Sequence, residues 1–429
     1  MSGVRDLFFD DFYEELQRVV GEIKREDDAA KVPLLKPEVE ARWNTYAGDP
    51  EARCENLVSV DGGIQESDFA YGDFIAAGRA IALIHRPGGE GQSVRRVRLY
   101  VGQVYEERDK GFIPGYVRTI CEYDAAYRAA GRVIEAGGRP FVLMDGSLYL
   151  GRFPYAIREY RHHPELLAEL FESVARLRNL ARDEGFPVVG VTKDSSVFYL
   201  YMALLREAIW KAGLGDYTEK LEGASSPLDL AMRSEGWTVE EKEVLAPFME
   251  GRPLCDPPLV EVSTVTEGYT TPLYLAPSIY YSQQGEVPAL IRQIDRYIEP
   301  TVAARLKNGV RAFFKTPGVV VTYWKPRPKG RPFRVDVLAS ALGRNEAWDD
   351  HTGNTFLDSP LKEPIEAVLC QLAKWYCNEI EYNIPLKQAD TLARFDKDLY
   401  KRKYEPFIIR RLEEAGIDVR GKRREIREG

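Results

Sequence analysis

The sequence predicts an α/β fold built on a mixed sheet flanked by helices. Strand-like and helix-like segments alternate along most of the chain, the pattern that gives layered α/β architectures. Twice an apolar run closes on an acid and a glycine. Leu57-Val58-Ser59-Val60 precedes Asp61-Gly62-Gly63, and Phe141-Val142-Leu143-Met144 precedes Asp145-Gly146-Ser147. Between them lies a long helical segment that carries a third acid, Glu122.

Taken in order, residues about 6 to 26 read as an amphipathic helix, with Phe8, Phe9, Phe12, Leu16, Val19, Val20 and Ile23 at helical spacing. A Pro-containing connection follows to residue 50. Strand one is expected at 55–61, a β-rich stretch at Phe69 to His85, and a half-buried strand at Val94 to Val104, where Arg alternates with Val, Leu and Tyr. Pro114-Gly115 opens a helix whose apolar stripe includes Tyr116, Ile120, Tyr123, Tyr127, Ala130 and Ile134, with Glu122 at its edge. Gly137-Gly138 closes that helix. Strand four is 140–145, a helix spans His163 to Glu184, and strand five runs from Pro187 to Val191 before Thr192-Lys193-Asp194-Ser195. Residues 198–258 read as a helical insertion, and Leu259 to Leu275 as strand. Val287 to Asn308 reads as a helix. Gly318 to Trp324 and Phe333 to Ala339 form an extra β-hairpin around a basic turn. The last helices are expected at Glu363 to Asn378 and Lys387 to Tyr400, with the residues from 401 to 429 as a basic tail. The domain reading is 1–50 for the N-terminal helix and connection and 51–400 for the main domain.

The chain has 429 residues, a net charge of −8, 44% hydrophobic and 29% charged residues. Those proportions suit a soluble protein. No apolar run approaches the roughly 18 residues of a membrane span, so a cytoplasmic location without membrane contact is expected. The five cysteines (Cys54, Cys121, Cys255, Cys370 and Cys377) are scattered and form no Cys-x-x-Cys pair, and are expected as buried free thiols. No zinc pattern joins the four histidines, and no Gly-x-x-x-x-Gly-Lys-Ser/Thr loop is present, so the chain is not a P-loop motor.

The order of the acids carries the chemistry. A carboxylate on strand one, one on the first long helix and one on strand four is the order in which ribonuclease-H-like folds assemble a two-metal site. Two divalent cations about 4 Å apart hold the attacking and leaving oxygens of an in-line phosphoryl displacement. Mg2+ and Mn2+ favour carboxylate oxygens, and Asp61, Glu122 and Asp145 supply three. Lys193, after strand five, is placed to neutralise charge on a phosphate. Asp390, in the first turn of the last helix, is the best fourth ligand, with Asp336 a weaker rival. Either Asp-Gly could instead be a plain turn, and Asp390 a helix-dipole partner. Lys325, Arg327, Lys329, Arg331 and Arg334 crowd a projecting hairpin that could grip a nucleic-acid backbone. Tyr323 and Trp324 beside them could stack on bases or pack inward.

Together these segments resemble the archaeal NurA nucleases. The carrying residues are Ser59-Val60-Asp61-Gly62-Gly63, Arg118-x-x-Cys121-Glu122, Leu143-Met144-Asp145-Gly146-Ser147-Leu148, Gly190-Val191-Thr192-Lys193-Asp194-Ser195, and Tyr382-Asn383-Ile384-Pro385-Leu386 with Ala389-Asp390. The resemblance implies a ribonuclease-H-like core and a homodimer with manganese-dependent nuclease activity on DNA. It also implies a HerA-type hexameric translocase as partner in the resection of DNA ends for recombinational repair. Carried over by position, Asp61, Glu122 and Asp145 are metal ligands. The family commonly has histidine where this chain has Asp390, and Asp-Gly-Ser where it has Asp61-Gly62-Gly63. Two other readings stay open. One is a catalytically silent scaffold on DNA or a ring ATPase. The other is an actin- or sugar-kinase-like phosphotransferase, although no second glycine-rich phosphate loop is present.

Overall fold

The computed structural model describes residues 9–28, 34–46, 56–69, 73–86, 91–103, 110–150, 157–221, 224, 226–250, 253–277, 294–296, 298–357 and 361–417. It divides into two compact units, one of residues 1–41 and 196–264 and one of residues 42–195 and 265–429.

The first unit is helical: α1 (Phe9–Asp28), α2 (Lys36–Ala41), and, from the segment read as an insertion, helices at Tyr199–Lys211, Pro227–Ser234, Val239–Met249 and Asp256–Ser263. The last of these replaces the start of the strand expected from Leu259. Prolines 257 and 258 fall in its first turn, where a missing N–H costs nothing. The Asp256 carboxylate accepts from the backbone of Leu200 and Tyr201. Phe12 and Leu16 of α1 are exposed, while Phe8 lies outside the described residues, as do Cys54 and the basic residues from 418 on.

The second unit holds one sheet of 11 described strands: β1 (Trp43–Thr45), β2 (Leu57–Asp68), β3 (Asp73–His85), β4 (Gln92–Gln103), β5 (Phe141–Asp145), β6 (Val188–Thr192), β7 (Gly268–Thr270), β8 (Leu273–Leu275), β9 (Val319–Lys325), β10 (Phe333–Leu338) and β11 (Thr355–Phe356). Their order is β1-β7-β9-β10-β6-β5-β2-β3-β4, with β8 pairing β9 and β11. The meander β2-β3-β4 is antiparallel, and β5 and then β6 join β2 in parallel. This is the strand order of a ribonuclease-H-like core, and the sheet is mixed as the sequence predicts. Helices of this unit are α3 (Ile113–Glu135), α4 (Ile157–His162), α5 (Pro164–Glu184), α6 (Pro300–Phe314), α7 (Lys362–Trp375), α8 (Ile384–Ala393) and α9 (Glu405–Glu414). The small face of α3, Ala125, Ala126, Ala129 and Ala130, is fully buried, which lets the helix lie close against sheet and α5.

Several expectations change here. Strand β2 does not stop at Asp61 but runs on through Gly62-Gly63 to Asp68, because β3 pairs with it along its whole length. The hairpin of β9 and β10 does not project. Both strands are buried throughout and β10 pairs with β6 inside the sheet. The helix expected from Lys387 to Tyr400 runs instead from Ile384 to Ala393: the Asn383 side chain accepts from Leu386 N at 3.1 Å and Pro385 sits in the first turn. Cys121 is buried as expected, whereas Cys377 is exposed. Among the described residues no helix is long and apolar enough to cross a membrane.

Candidate active site

Parallel pairing places two acids side by side. Val60 of β2 pairs with Met144 of β5, so Asp61 and Asp145 stand one step further on, on the same face of adjacent strands. Ile81, opposite Asp61 on β3, packs with Ala389 and Ala393 of α8. The Asp61 side therefore faces α8, which carries Asp390. Side chains alternate along a strand, so Gly62 faces the other way, toward α3. A Cβ on Gly62 would lie 2.7 Å from the Glu122 carboxylate. The absent side chain is what lets Glu122 close over the strand toward Asp61. Gly63 serves α8 in the same way, since a Cβ there would lie 2.4 Å from Ala393 O. Gly146, with φ +120, turns the chain immediately after Asp145.

Holding these acids together is costly. Asp61 is 5% and Glu122 8% exposed. Burial, then the neighbouring Asp145 and Glu122, push the Asp61 carboxyl up from 3.8 to about 7. Burial likewise raises Glu122 and Asp145 above the usual carboxylate range. Arg118, one turn before Glu122 on α3, offsets part of this. Its Nε donates to Glu122 Oε1 at 2.6 Å and its Nη2 lies 3.7 Å from Asp61 Oδ1. Tyr382 donates to Asp145 Oδ1 at 2.6 Å, which holds that carboxyl down against burial. The Lys193 ammonium sits 5.2 Å from the Tyr382 ring centroid and also lowers Asp145.

The structure thus brings Asp61, Glu122, Asp145 and Lys193 together, with Asp390 near enough to Asp145 to raise its pKa. Asp390 lies in the second half of α8, not its first turn. There a carboxylate opposes the helix dipole, so the plain dipole-partner role does not apply. Arg394 and Lys387 flank it at 3.1 and 3.7 Å. The weaker rival Asp336 already has its carboxylate engaged within the protein. It is fully buried and its carboxylate accepts from Ser147, Leu148, Tyr149 and Arg334. Tyr382 and Arg118 belong to the sequence motifs without a role that the motifs themselves assign. What could have singled them out is their spacing to acids: Arg118 at i−4 from Glu122, and Tyr382 just before the α8 cap.

The basic hairpin divides. Arg327, Lys329 and Arg331 of the turn are exposed. Lys325 and Arg334 are 1% and 3% exposed and cannot meet a nucleic-acid backbone from there, because each lies within a strand covered on both faces. Tyr323 and Trp324 pack inward, Trp324 against Phe333 and Tyr376. In the turn, Arg327 lies over the Tyr376 ring and donates to Cys377 O.

The NurA domain model matches residues 55–395, about four-fifths of the chain. The chain belongs to the NurA family. The NurA nuclease from Sulfolobus solfataricus is 13% identical, with 94% of this chain and 98% of that one covered and a TM-score of 0.48. A NurA bound to dAMP and manganese is 12% identical, covering 92% and 96%, at 0.40. Endonuclease V from Bacillus subtilis is 11% identical, covering 86% and 91%, at 0.29. No match was found among curated proteins.

The donor set suits a hard divalent cation. It offers carboxylate oxygens in excess of positive charge, with the Arg118 guanidinium lodged among them as a stand-in. Among the described residues no three such side chains are already drawn into one ligating cluster. The Arg118 guanidinium lies 2.6 Å from Glu122 and 3.7 Å from Asp61, two of the carboxylates that would hold a cation.

Proposed function

We propose that this NurA-family chain is a metal-dependent nuclease that hydrolyses phosphodiester bonds in DNA. The observation that carries the reading is the meeting of Asp61, Glu122 and Asp145. They come from a strand, a helix and a second strand, and burial first, with neighbouring carboxylates adding to it, raises their pKa values. Buried carboxylates with raised pKa values, gathered in one place, are characteristic of functional sites. Asp61, Glu122, Asp145 and Asp390 would hold Mn2+ or Mg2+, two ions per site. Bound there, the ions polarise a phosphate oxygen and lower the pKa of water.

The other residues have separate tasks. The Tyr382 hydroxyl donates to Asp145 Oδ1 and so would hold that carboxylate in one orientation. Lys193, exposed at the end of β6, would steady the scissile phosphate by its charge. Arg118 would release Glu122 and Asp61 to the ion and turn toward the substrate anion. Arg327, Lys329 and Arg331 would hold the DNA backbone away from the reacting bond. A homodimer working with a HerA-type hexameric ATPase in end resection completes the proposal, and family membership supports it.

The test is cleavage of end-labelled single-stranded and duplex DNA with Mn2+, Mg2+ or EDTA, beside Asp61→Ala and Asp145→Ala. Cleavage that needs metal and is lost in both variants supports the nuclease. Cleavage that survives both substitutions would mean that the reacting site lies elsewhere. If the protein is inert alone, repeating the assay with the HerA-type ATPase separates a partner-dependent nuclease from a scaffold.

A further inference from the structure

Behind the acid pair lies a buried polar assembly that the proposed reaction does not use. Asp336 and Arg334 of β10 are 0% and 3% exposed. Arg334 Nε donates to Asp336 Oδ1 at 2.8 Å and its Nη2 to Oδ2 at 2.9 Å. The same Oδ2 accepts from Ser147 Oγ at 2.7 Å, Leu148 N at 2.9 Å and Tyr149 N at 3.3 Å. Arg334 Nη2 also lies 3.0 Å from Ser147 Oγ. From α5, the buried Arg178 donates to Leu148 O at 2.8 Å. Three consecutive residues, starting two after Asp145, are thus pinned by one ion pair and one guanidinium.

The route between them is also built. β6 lies between β5 and β10 in the sheet, and its Gly190 pairs with Asp336. A Cβ on Gly190 would lie 2.4 Å from Gly146 O and 3.1 Å from the Leu148 side chain. The missing side chain admits the turn onto the sheet, where the Asp336 carboxylate reaches it. A buried ion pair contributes little net stability against apolar residues of the same volume. An apolar plug would fill this space without aiming four donors at one oxygen.

Resting on the nuclease reading above, we propose that Asp336, Arg334 and Ser147 are positioning residues for Asp145. They fix the turn 146–149, and through the single residue Gly146 they set the direction in which the Asp145 carboxylate points at its cation. Groups that orient a ligating carboxylate typically change metal affinity by about 10- to 100-fold when removed.

The experiment is calorimetric titration of Mn2+ into wild type, Ser147→Ala, Ser147→Thr, Asp336→Asn and Asp61→Ala, with a melting curve for each. Ser147→Ala is expected to melt within a few degrees of wild type yet bind Mn2+ about tenfold more weakly. Ser147→Thr, which keeps the hydroxyl, is expected to restore binding, and Asp336→Asn to weaken it further if the protein folds. A folded Ser147→Ala protein that binds Mn2+ as wild type does would overturn the positioning role. Wild type that fails to bind Mn2+, or binds it no better than Asp61→Ala, would instead sink the nuclease reading itself.

Discussion

Replacing Asp61 by asparagine should make the metal-free protein more stable while destroying the proposed activity. The Asp61 carboxyl is raised from 3.8 to about 7, first by burial and then by Asp145 and Glu122. That is about three units at roughly 1.4 kcal/mol each, so the ionised group costs the fold up to about 4 kcal/mol at pH 8. Below about pH 4 the group is protonated in both folded and unfolded chains and the cost is absent; it grows between about pH 4 and about 7 and levels off above that. Asparagine keeps the acceptor that Gly62 N uses at 2.7 Å and removes only the charge. In EDTA, Asp61→Asn should therefore unfold at higher urea than wild type at pH 8, and at nearly equal urea at pH 4. Adding Mn2+ at pH 8 should reverse the ranking, since only wild type can then trade repulsion for ligation. A variant that is less stable at pH 8, or whose gain is the same at both pH values, would refute the assignment of Asp61 as a strained acid.

Three further outcomes are expected. Gly62→Ala sets a Cβ 2.7 Å from the Glu122 carboxylate, and should lower DNA cleavage at least tenfold while circular dichroism stays that of wild type. Tyr382→Phe removes the hydrogen bond that holds Asp145 down; its carboxyl then titrates higher, and the acid limb of the pH–rate profile should move to higher pH. Replacing Arg327, Lys329 and Arg331 together by alanine should make the salt dependence of DNA binding shallower, by about 2 to 3 in log–log slope if all three meet phosphates. Lys325→Ala, at a side chain 1% exposed, should leave that slope alone and lower the melting temperature.

Much of the core was legible from local pattern. The helix at Ile113–Glu135, the strands at Phe141–Asp145 and Val188–Thr192 and the helix at Pro164–Glu184 fall within two residues of where periodicity and caps put them. The acids Asp61, Glu122 and Asp145 could be found because each closes or edges such an element. Long-range pairing was not legible. Gly62-Gly63 reads locally as a turn, and only pairing with β3 keeps it extended. The burial of Lys325 and Arg334 depends on which strands flank β9 and β10, which no local window contains. Asp336 looked like a ligand because acid type is visible in a sequence and saturation by donors is not.

The seam between β2 and β5 has a mechanical consequence. The two acids that stand across it are attached to strands tied by peptide hydrogen bonds from Leu57 to Val60, and neighbouring strands keep a spacing of about 4.8 Å. Their mutual repulsion cannot relax by drifting apart, as it would between two flexible loops. Arg118 and Tyr382 relieve part of it, and an arriving proton or cation can discharge the rest. The sheet acts as a rigid frame holding a compressed spring, and what the spring recognises is positive charge.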